Sequence, residues 1–362
     1  MITYIINDVK KSLTFEELFL ALKADKIDYK VILILNEENS HLYQFCNAHQ
    51  IACTELVEHG KIKRFLAIYK FLKSNPTKIV HTHLFEAGLI GGFVSWLLRI
   101  KKRVYTRHHG DQHIFDHPHA LKYDKLINFF HTDIICLSET HLDQIKKFEN
   151  PKAKLHLVPH AYNKYSLIST TEKTQKIKDK YLVDLSQFNI MVNARWTETK
   201  GVQDIIEAFR IFIKTHGDSK LWLFHASGDY KNEIQNNLKQ LPKNSYQSIL
   251  FEEEIISVYP LMDVFVHVPQ RATFESFGQV YIEAMGAGKA CVFTLSGIAE
   301  DIVKPNENAI VVPFKSPLKI AEAMFLLNKD QKLIEKLGEN AKDIVDHFLL
   351  ENHLKLLKSI YY

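Results

Sequence analysis

The chain has 362 residues, 46% of them hydrophobic and 24% charged, with few glycines and prolines. That length exceeds one ordinary core and the composition excludes a disordered or low-complexity protein, so two globular domains are expected. The net charge of +4 is uneven: residues 1–165 hold 23 lysines and arginines against 17 acidic residues, and the remainder holds 23 against 25.

In chain order, the first half alternates short β-branched runs with helical patterns. ITYII, YKVILIL, KIVHTH, RVYT, DIICLS and KLHLV read as strands, and FEELFLALKA, IKRFLAIYKFLK, EAGLIGGFVSWLLR and DQIKKF as helices between them. The opening stretch places its charges after the apolar run and has no small-residue cleavage site, so no secretory signal is expected. The longest apolar run, AGLIGGFVSWLL (87–98), is shorter than the ~20 residues a bilayer span needs and reads as a buried helix. Cys46, Cys53, Cys136 and Cys291 are scattered without a CxxC pair, as core thiols of a cytoplasmic protein are.

The second half repeats the design. NIMVNA, KLWLFHA, DVFVHV, KACVFT and AIVVPF read as strands joined by helices such as GVQDIIEAFRIFIKT, after a polar stretch at 163–184 that contains the linker. Helices end the chain. The expected fold is α/β: two doubly wound Rossmann-like domains facing each other across a cleft, with a helical C-terminus. We place the first domain at 1–165 and the second at 166–345, with a C-terminal helix at 346–362 packing back on the first. Ligands of open α/β sheets bind beyond the carboxyl ends of the strands, so chemistry is sought there.

After NIMVN comes ARWTETKGVQDIIEAF. Arg195 and Lys200 sit between a strand end and a helix start, where two cations and unpaired backbone N–H groups suit a diphosphate; an ordinary αβ turn with exposed basic residues reads the same way in isolation. The segment PQRATFESFGQVYIEAMGAGKACVFT (269–294) is more specific. Glu275 precedes Ser276, Phe277 and Gly278 at a helix start, and Glu283 lies further into that helix, placed to accept bonds from two vicinal hydroxyls such as those of a ribose. Eight helical steps correspond to about 12 Å, too far for the paired carboxyls of a retaining glycosidase.

FESFGQVYIEAMGAGKACV resembles the E-x7-E signature of retaining glycosyltransferases of family 4, whose fold is called GT-B. NARWTETKGVQDIIEAF, KIVHTHLFEAGLIG, RVYTRHHG, DIICLSE and KLHLVPHAYN resemble that family's other landmarks in order and spacing. The resemblance implies a first domain that binds the acceptor and a second that binds a nucleotide-diphosphate sugar as donor. It implies that Arg195 and Lys200 hold and stabilise the leaving diphosphate and that Glu275 contacts the transferred sugar. Ser276, Phe277 and Gly278 would offer backbone N–H groups, and Glu283 would bind the ribose. It also implies transfer with retention and no metal or other cofactor. One departure stands out: the turn NDVKKSLTFEE after the first strand lacks the glycines many family members carry there.

RHHGDQHIFDHPHA (107–120) is rich in histidine. The family places a histidine after the corresponding strand, near the donor sugar; His108 fits its T-x-H pattern and His109 its H-G pattern, and both remain candidates for contacting the sugar or orienting the acceptor. His113, His117 and His119 are expected on a polar loop that serves the acceptor or is merely solvated. A metal centre built from HTH (81–83) and HHGDQH lacks the aspartate-rich continuation of a binuclear hydrolase, so no metal is expected and His81 and His83 read as structural.

The expected partners are the nucleotide-sugar donor and a glycan, lipid-linked or other hydroxyl acceptor, as in polysaccharide or glycoconjugate synthesis, with no nucleic acid. The basic runs KIKR (61–64) and RIKKR (99–103) are usually solvated helix ends; the alternative is peripheral contact with an anionic membrane, on its inner face, or with a phosphorylated acceptor. Two rival functions stay open: a nucleotide-sugar isomerase of the same fold, and a non-catalytic sugar-binding protein. Base recognition is expected from backbone and stacking near Phe251.

Overall fold

A computed structural model describes residues 1–7, 9 and 12–362. The chain divides into two compact units, Met1–Tyr162 with Phe348–Tyr362, and Asn163–His347.

In the first unit the strands are β1 (Ile2–Asn7), β2 (Tyr29–Ile34), β3 (Cys53–Leu56), β4 (Ile79–His83), β5 (Lys102–Thr106), β6 (Asp133–Cys136) and β7 (Lys154–Leu157). All pair in parallel, in the order β3-β2-β1-β4-β5-β6-β7. In the second unit, β8 (Phe188–Asn193), β9 (Ser219–Phe224), β10 (Tyr246–Ile249), β11 (Val264–His267), β12 (Ala290–Phe293) and β13 (Ile310–Val311) form a parallel sheet ordered β10-β9-β8-β11-β12-β13. The expected pair of doubly wound α/β sheets is borne out. β3 and β10 were not expected, and both are outermost strands: Cys53–Leu56 and Tyr246–Ile249 are largely half-exposed and so lack the apolar run that marks a central strand.

The central strands of the second unit are largely apolar because helices cover both faces, whereas β4 of the first unit buries His81, Thr82 and His83. Ile190, Val192, Leu221, Leu223, Val264, Val266, Ala290 and Val292 are buried with Phe209 and Phe212 of the helix Val202–Phe212, each large side chain stabilising the fold by roughly 1.5–3 kcal/mol. The last helix, Leu350–Tyr361, closes the first unit: the Tyr4 and Tyr361 hydroxyls lie 2.6 Å apart, and Tyr162 N–H donates to the Phe348 carbonyl at 2.8 Å.

The run AGLIGGFVSWLL departs from expectation. It begins as a π-helical turn, Ala87–Gly91, and continues as an α-helix, Gly92–Leu97, but Phe93, Trp96 and Leu97 face solvent rather than the core. Asp8, Lys10 and Lys11 of the glycine-free turn lie outside the described residues; beyond them Ser12 caps the helix Leu13–Ala24 by accepting from Phe15 N–H.

Candidate active site

Strand order reverses between β8 and β11, and the loops leaving two such strands separate and open a crevice at their carboxyl ends. β8 ends in Asn193 and is followed by Arg195, Trp196 and a short 3-10 turn ending in Lys200. Gly201 then takes a left-handed φ of 70°, and a Cβ there would stand 2.1 Å from the Val268 carbonyl oxygen. Only glycine lets this loop press against the end of β11, where Gln270 N–H also donates to the Thr199 carbonyl at 2.9 Å. The approach carries Lys200 to Glu275: Nζ and Oε1 are 2.5 Å apart.

β11 ends in His267, whose Nε2 lies 3.0 Å from the same Glu275 oxygen. The Glu275 loop is fixed by its N–H donating to Ser296 Oγ at 3.3 Å, and by Gly297 N–H donating to the Ala272 carbonyl at 2.9 Å. Burial alone would raise the Glu275 carboxyl, but the Lys200 ammonium and the His267 bond outweigh it and hold the group well below the usual carboxylate range. Glu275 is therefore a buried carboxylate that its partners hold in the ionised form.

A cavity of about 280 Å³ opens above this cluster, lined among others by Asn193, Arg195, Lys200, His225, Glu275 and Gly278. Arg195 is exposed at its edge. The helix Gln279–Gly286 starts beside it, with Gly278 as N-cap at φ 87° and no capping side chain, so its positive end faces the cavity beside Glu275. His225, just beyond β9 in the left-handed region at φ 57°, is bonded through Nδ1 to Asn193 Oδ1 at 2.9 Å and meets the exposed Phe251 ring edge-on at 5.8 Å between centroids. Two cations, a helix start and one fixed carboxylate make a site for a polar anion with a second group at its far end.

The other expected residues lie close by in different settings. Ser276 and Phe277 are buried; the Phe277 side chain packs into the core, and its carbonyl accepts from Ile298 N–H at 2.9 Å. Glu283 does not line the cavity. It is half-buried and accepts from the Tyr259 hydroxyl at 3.1 Å, and Tyr259 in turn bonds the cavity residue Asn193. Burial raises the Glu283 carboxyl to about 7, against the lowering by Tyr259. His267, Asn193 and Tyr259 escaped the sequence reading. Asn193 and His267 carried a signal nonetheless, each being a polar residue that closes an apolar strand.

In the first unit, His108 and His109 diverge. His108 Nε2 lies 3.0 Å from His83 Nδ1 and its ring stacks on His160, whereas His109 Nε2 turns to Asp124 Oδ1 at 3.3 Å. His113 does not lie on a polar loop. It sits in the short helix Gln112–Asp116 and its Nε2 reaches Asp124 Oδ2 at 2.6 Å; His117 and His119 are exposed. The ligand atoms of His109, His113 and Asp124 all fall within 4.8 Å of one another, a spacing that would admit a metal ion. Asp124 is already engaged by His109, by His113 and by the Arg107 guanidinium at 3.4 Å, which is also paired with Glu149, so both of its oxygens have partners without a metal. His81 bonds Tyr361 and Thr106, a structural role as expected.

Residues 173–344, which include Arg195, Lys200, Glu275 and Glu283, match the family model described as Glycosyl transferases group 1. The chain is 26% identical over 330 residues to the capsular polysaccharide biosynthesis glycosyltransferase CapM of Staphylococcus aureus, covering 87% of this chain and 84% of that protein. It is 24% identical over 193 residues to N-acetyl-alpha-D-glucosaminyl L-malate synthase of Bacillus anthracis, spanning 52% of this chain and about half, 48%, of that relative. The structure of Anabaena Alr3699/HepE in complex with UDP-glucose superposes with a TM-score of 0.83 at 16% identity, covering 99% of both chains. The fold is thus that of the GT-B glycosyltransferases, and the second unit carries the group 1 glycosyl transferase pattern.

Proposed function

We propose that the protein is a retaining glycosyltransferase of family 4 that moves a sugar from a nucleotide-diphosphate sugar to a hydroxyl acceptor without a bound metal. The observation that carries this reading is the Lys200–Glu275–His267 cluster beneath a cavity edged by Arg195, at the reversal of strand order in the second unit. The diphosphate lies against Arg195, Lys200 and the start of the helix Gln279–Gly286. As the glycosidic bond breaks, negative charge builds on the leaving phosphate, and these preorganised cations and N–H groups stabilise it. Glu275 faces the positive charge that develops on the departing sugar. Glu283 stands beyond the cavity wall, joined to it through Tyr259 and Asn193, and accepts from the ribose hydroxyls of a donor that extends past the diphosphate; Phe251 and His225 flank the base.

Retention means that the acceptor hydroxyl replaces the leaving phosphate on the same face of the sugar, with its proton passing to the departing diphosphate. His108 and His109 belong to the acceptor side of this scheme, the first unit. We place this reaction in polysaccharide, lipid-linked glycan or glycoconjugate synthesis, in the cytoplasm. HepE was crystallised with UDP-glucose, so UDP-sugars are the first donors to test.

The test is release of UDP, GDP or ADP from the corresponding sugars, with NMR of the anomeric proton in the product and with chelator present. Transfer with retention that survives the chelator is expected. Inversion, or loss of activity restored by a divalent metal, would overturn the mechanism. A changed nucleotide sugar without transfer would mark an isomerase, and binding without turnover a sugar-binding protein.

A further inference from the structure

The first unit carries a surface that the donor site does not use. The helix Lys61–Ser74, the segment Ala87–Leu97 and the helix Ala120–Phe130 meet around an open apolar groove of about 440 Å³, lined by residues such as Ile62, Phe65, Phe93, Leu126 and Phe130. Its rings run on continuously: Phe65 to Phe93 at 5.6 Å, Phe93 to Phe130 at 5.2 Å, Phe130 to Trp96 at 5.8 Å, and Trp96 to Phe129 at 5.9 Å. Several of these side chains stand in solvent. Ile62 is 77% exposed, Phe129 62% and Trp96 40%. Single exposed apolar residues are ordinary, but a contiguous patch spanning three helices marks an interaction surface.

Its border is cationic. Residues 61–74 hold five lysines and arginines and no acidic residue, and residues 92–103 hold four and none; of these Arg64 is paired with Glu86 and Lys102 with Asp133, so the free charge rests on the lysines beside the groove. Lys61 lies on the groove, Lys63 beside it, and Lys122 and Lys125 are exposed on the third helix; none has an acidic partner among the described residues. The acidic residue of that helix, Asp124, is buried and bonded to His113, so its charge does not reach this face.

We propose that this face seats the first unit on a membrane surface bearing anionic lipid. Aromatic and aliphatic side chains enter the boundary between headgroups and acyl chains, while the lysines reach phosphate-level charge around them. Attachment is peripheral, because among the described residues no helix is long and apolar enough to cross a membrane. A second copy of the chain is a poorer occupant: two such faces would bring the lysine borders together across the interface. The proposal stands apart from the transfer reaction, and its test uses no sugar chemistry.

The purified chain is mixed with vesicles of phosphatidylcholine, or of phosphatidylcholine with phosphatidylglycerol, and sedimented. Binding to the anionic vesicles alone, weakening as salt is added, is expected. Trp96 provides a second readout, since the other two tryptophans, Trp196 and Trp222, are buried. Its emission should shift to the blue on vesicle binding, and Trp96→Phe should remove that shift.

Ile62→Glu with Phe129→Glu should abolish sedimentation, and each Lys→Glu change at 61, 63, 122 or 125 should weaken it at least about fivefold, the effect of losing one lysine near an anionic surface. All these side chains are exposed, and the lysine variants leave the apolar core untouched, so folding is checked by the thermal midpoint. Equal binding to both vesicle types, no binding, or binding indifferent to the lysine variants would overturn the proposal. So would light scattering that shows a dimer dissolved by the Ile62 and Phe129 changes.

Discussion

Lys200 Nζ lies 2.5 Å from Glu275 Oε1, joining the loop after β8 to the loop after β11 across the point where strand order reverses. Each side chain conditions the other. The ammonium keeps the buried carboxylate ionised, and the carboxylate holds the ammonium in the cavity rather than in solvent. Lys200→Ala should lower the transfer rate roughly 10²–10³-fold, the scale for losing one preorganised charge stabiliser, and Arg195→Ala should do the same. Glu275→Gln should lower turnover far more than donor affinity, because its partner is the reacting sugar. Steady-state kinetics beside donor titrations separate the two. Equal losses in both for Glu275→Gln would remove that residue from the reacting centre.

Gly201 makes the pairing geometrically attainable. Its left-handed φ and the 2.1 Å approach that a Cβ would make to Val268 O mean that Gly201→Ala must move the Lys200 loop away from β11. The strained conformation alone costs about 1–3 kcal/mol. The variant should lose at least that much in denaturant unfolding and should also lose turnover, as Lys200 retreats from Glu275. Gly217→Ala serves as the control, since a Cβ there meets nothing within 4 Å. Equal stability of the two variants would contradict the steric account.

Much of this was legible in the chain, and the reason lies in parallel sheets. A strand buried on both faces is mostly apolar, so NIMVN and DVFVHV announce themselves, and polar residues at and just beyond their ends mark the crevice. Arg195, Lys200, Glu275 and Gly278 were placed that way, and all four line one cavity. Glu283 was found by spacing, but its bond to Tyr259 was not: Tyr259 is 24 residues away and reaches it only through the fold. The His113–Asp124 contact was hidden for the same reason. Three-dimensional exposure was the least legible property, since AGLIGGFVSWLL has the composition of a core helix and yet turns Phe93, Trp96 and Leu97 outward.

The raised Glu283 carboxyl, at about 7, sets a pH dependence. Protonated, the group offers fewer acceptor sites to ribose hydroxyls; ionised, it accepts both. Affinity for a nucleotide sugar should therefore rise with pH through 7 and level off above 8, by about tenfold or more if one charge-assisted bond of ~1.5–3 kcal/mol is involved. The effect on stability has the opposite sign. A carboxyl raised on folding contributes stability below its unfolded pKa and loses it as pH climbs through 7, so the unliganded second unit should soften over the range in which it binds better. Calorimetric titration with UDP-glucose, whose diphosphate diester does not titrate there, tests this. Glu283→Gln should flatten the profile, and an unchanged slope in that variant would assign the dependence elsewhere.

The first unit should respond to acid in its own way. His81, His83, His131 and His141 are buried, and burial first, then neighbouring charges, holds each below its ordinary value, His131 at about 4. At His131 burial and the nearby Arg103 charge favour the neutral ring and outweigh the Nδ1 bond to the Ile127 carbonyl at 2.7 Å, which alone would favour the charged one; Nε2 lies 2.9 Å from the Thr82 hydroxyl, and a Cβ on Gly92 would come within 2.4 Å of the ring. In the unfolded chain these rings take up protons near 6.5, so the stability they confer is complete above that pH and falls as pH drops toward the folded values. Each contributes a slope of up to ~1.4 kcal/mol per pH unit, and four together make acid loss steep. Among the described residues, His267 is the buried histidine of the second unit. Hydrogen exchange resolved by peptide and corrected for intrinsic rates should show β4, β5 and β6 losing protection between pH 6.5 and about 5 before β8 and β11 do. Loss at the same pH in both units would mean that the buried histidines do not govern acid stability.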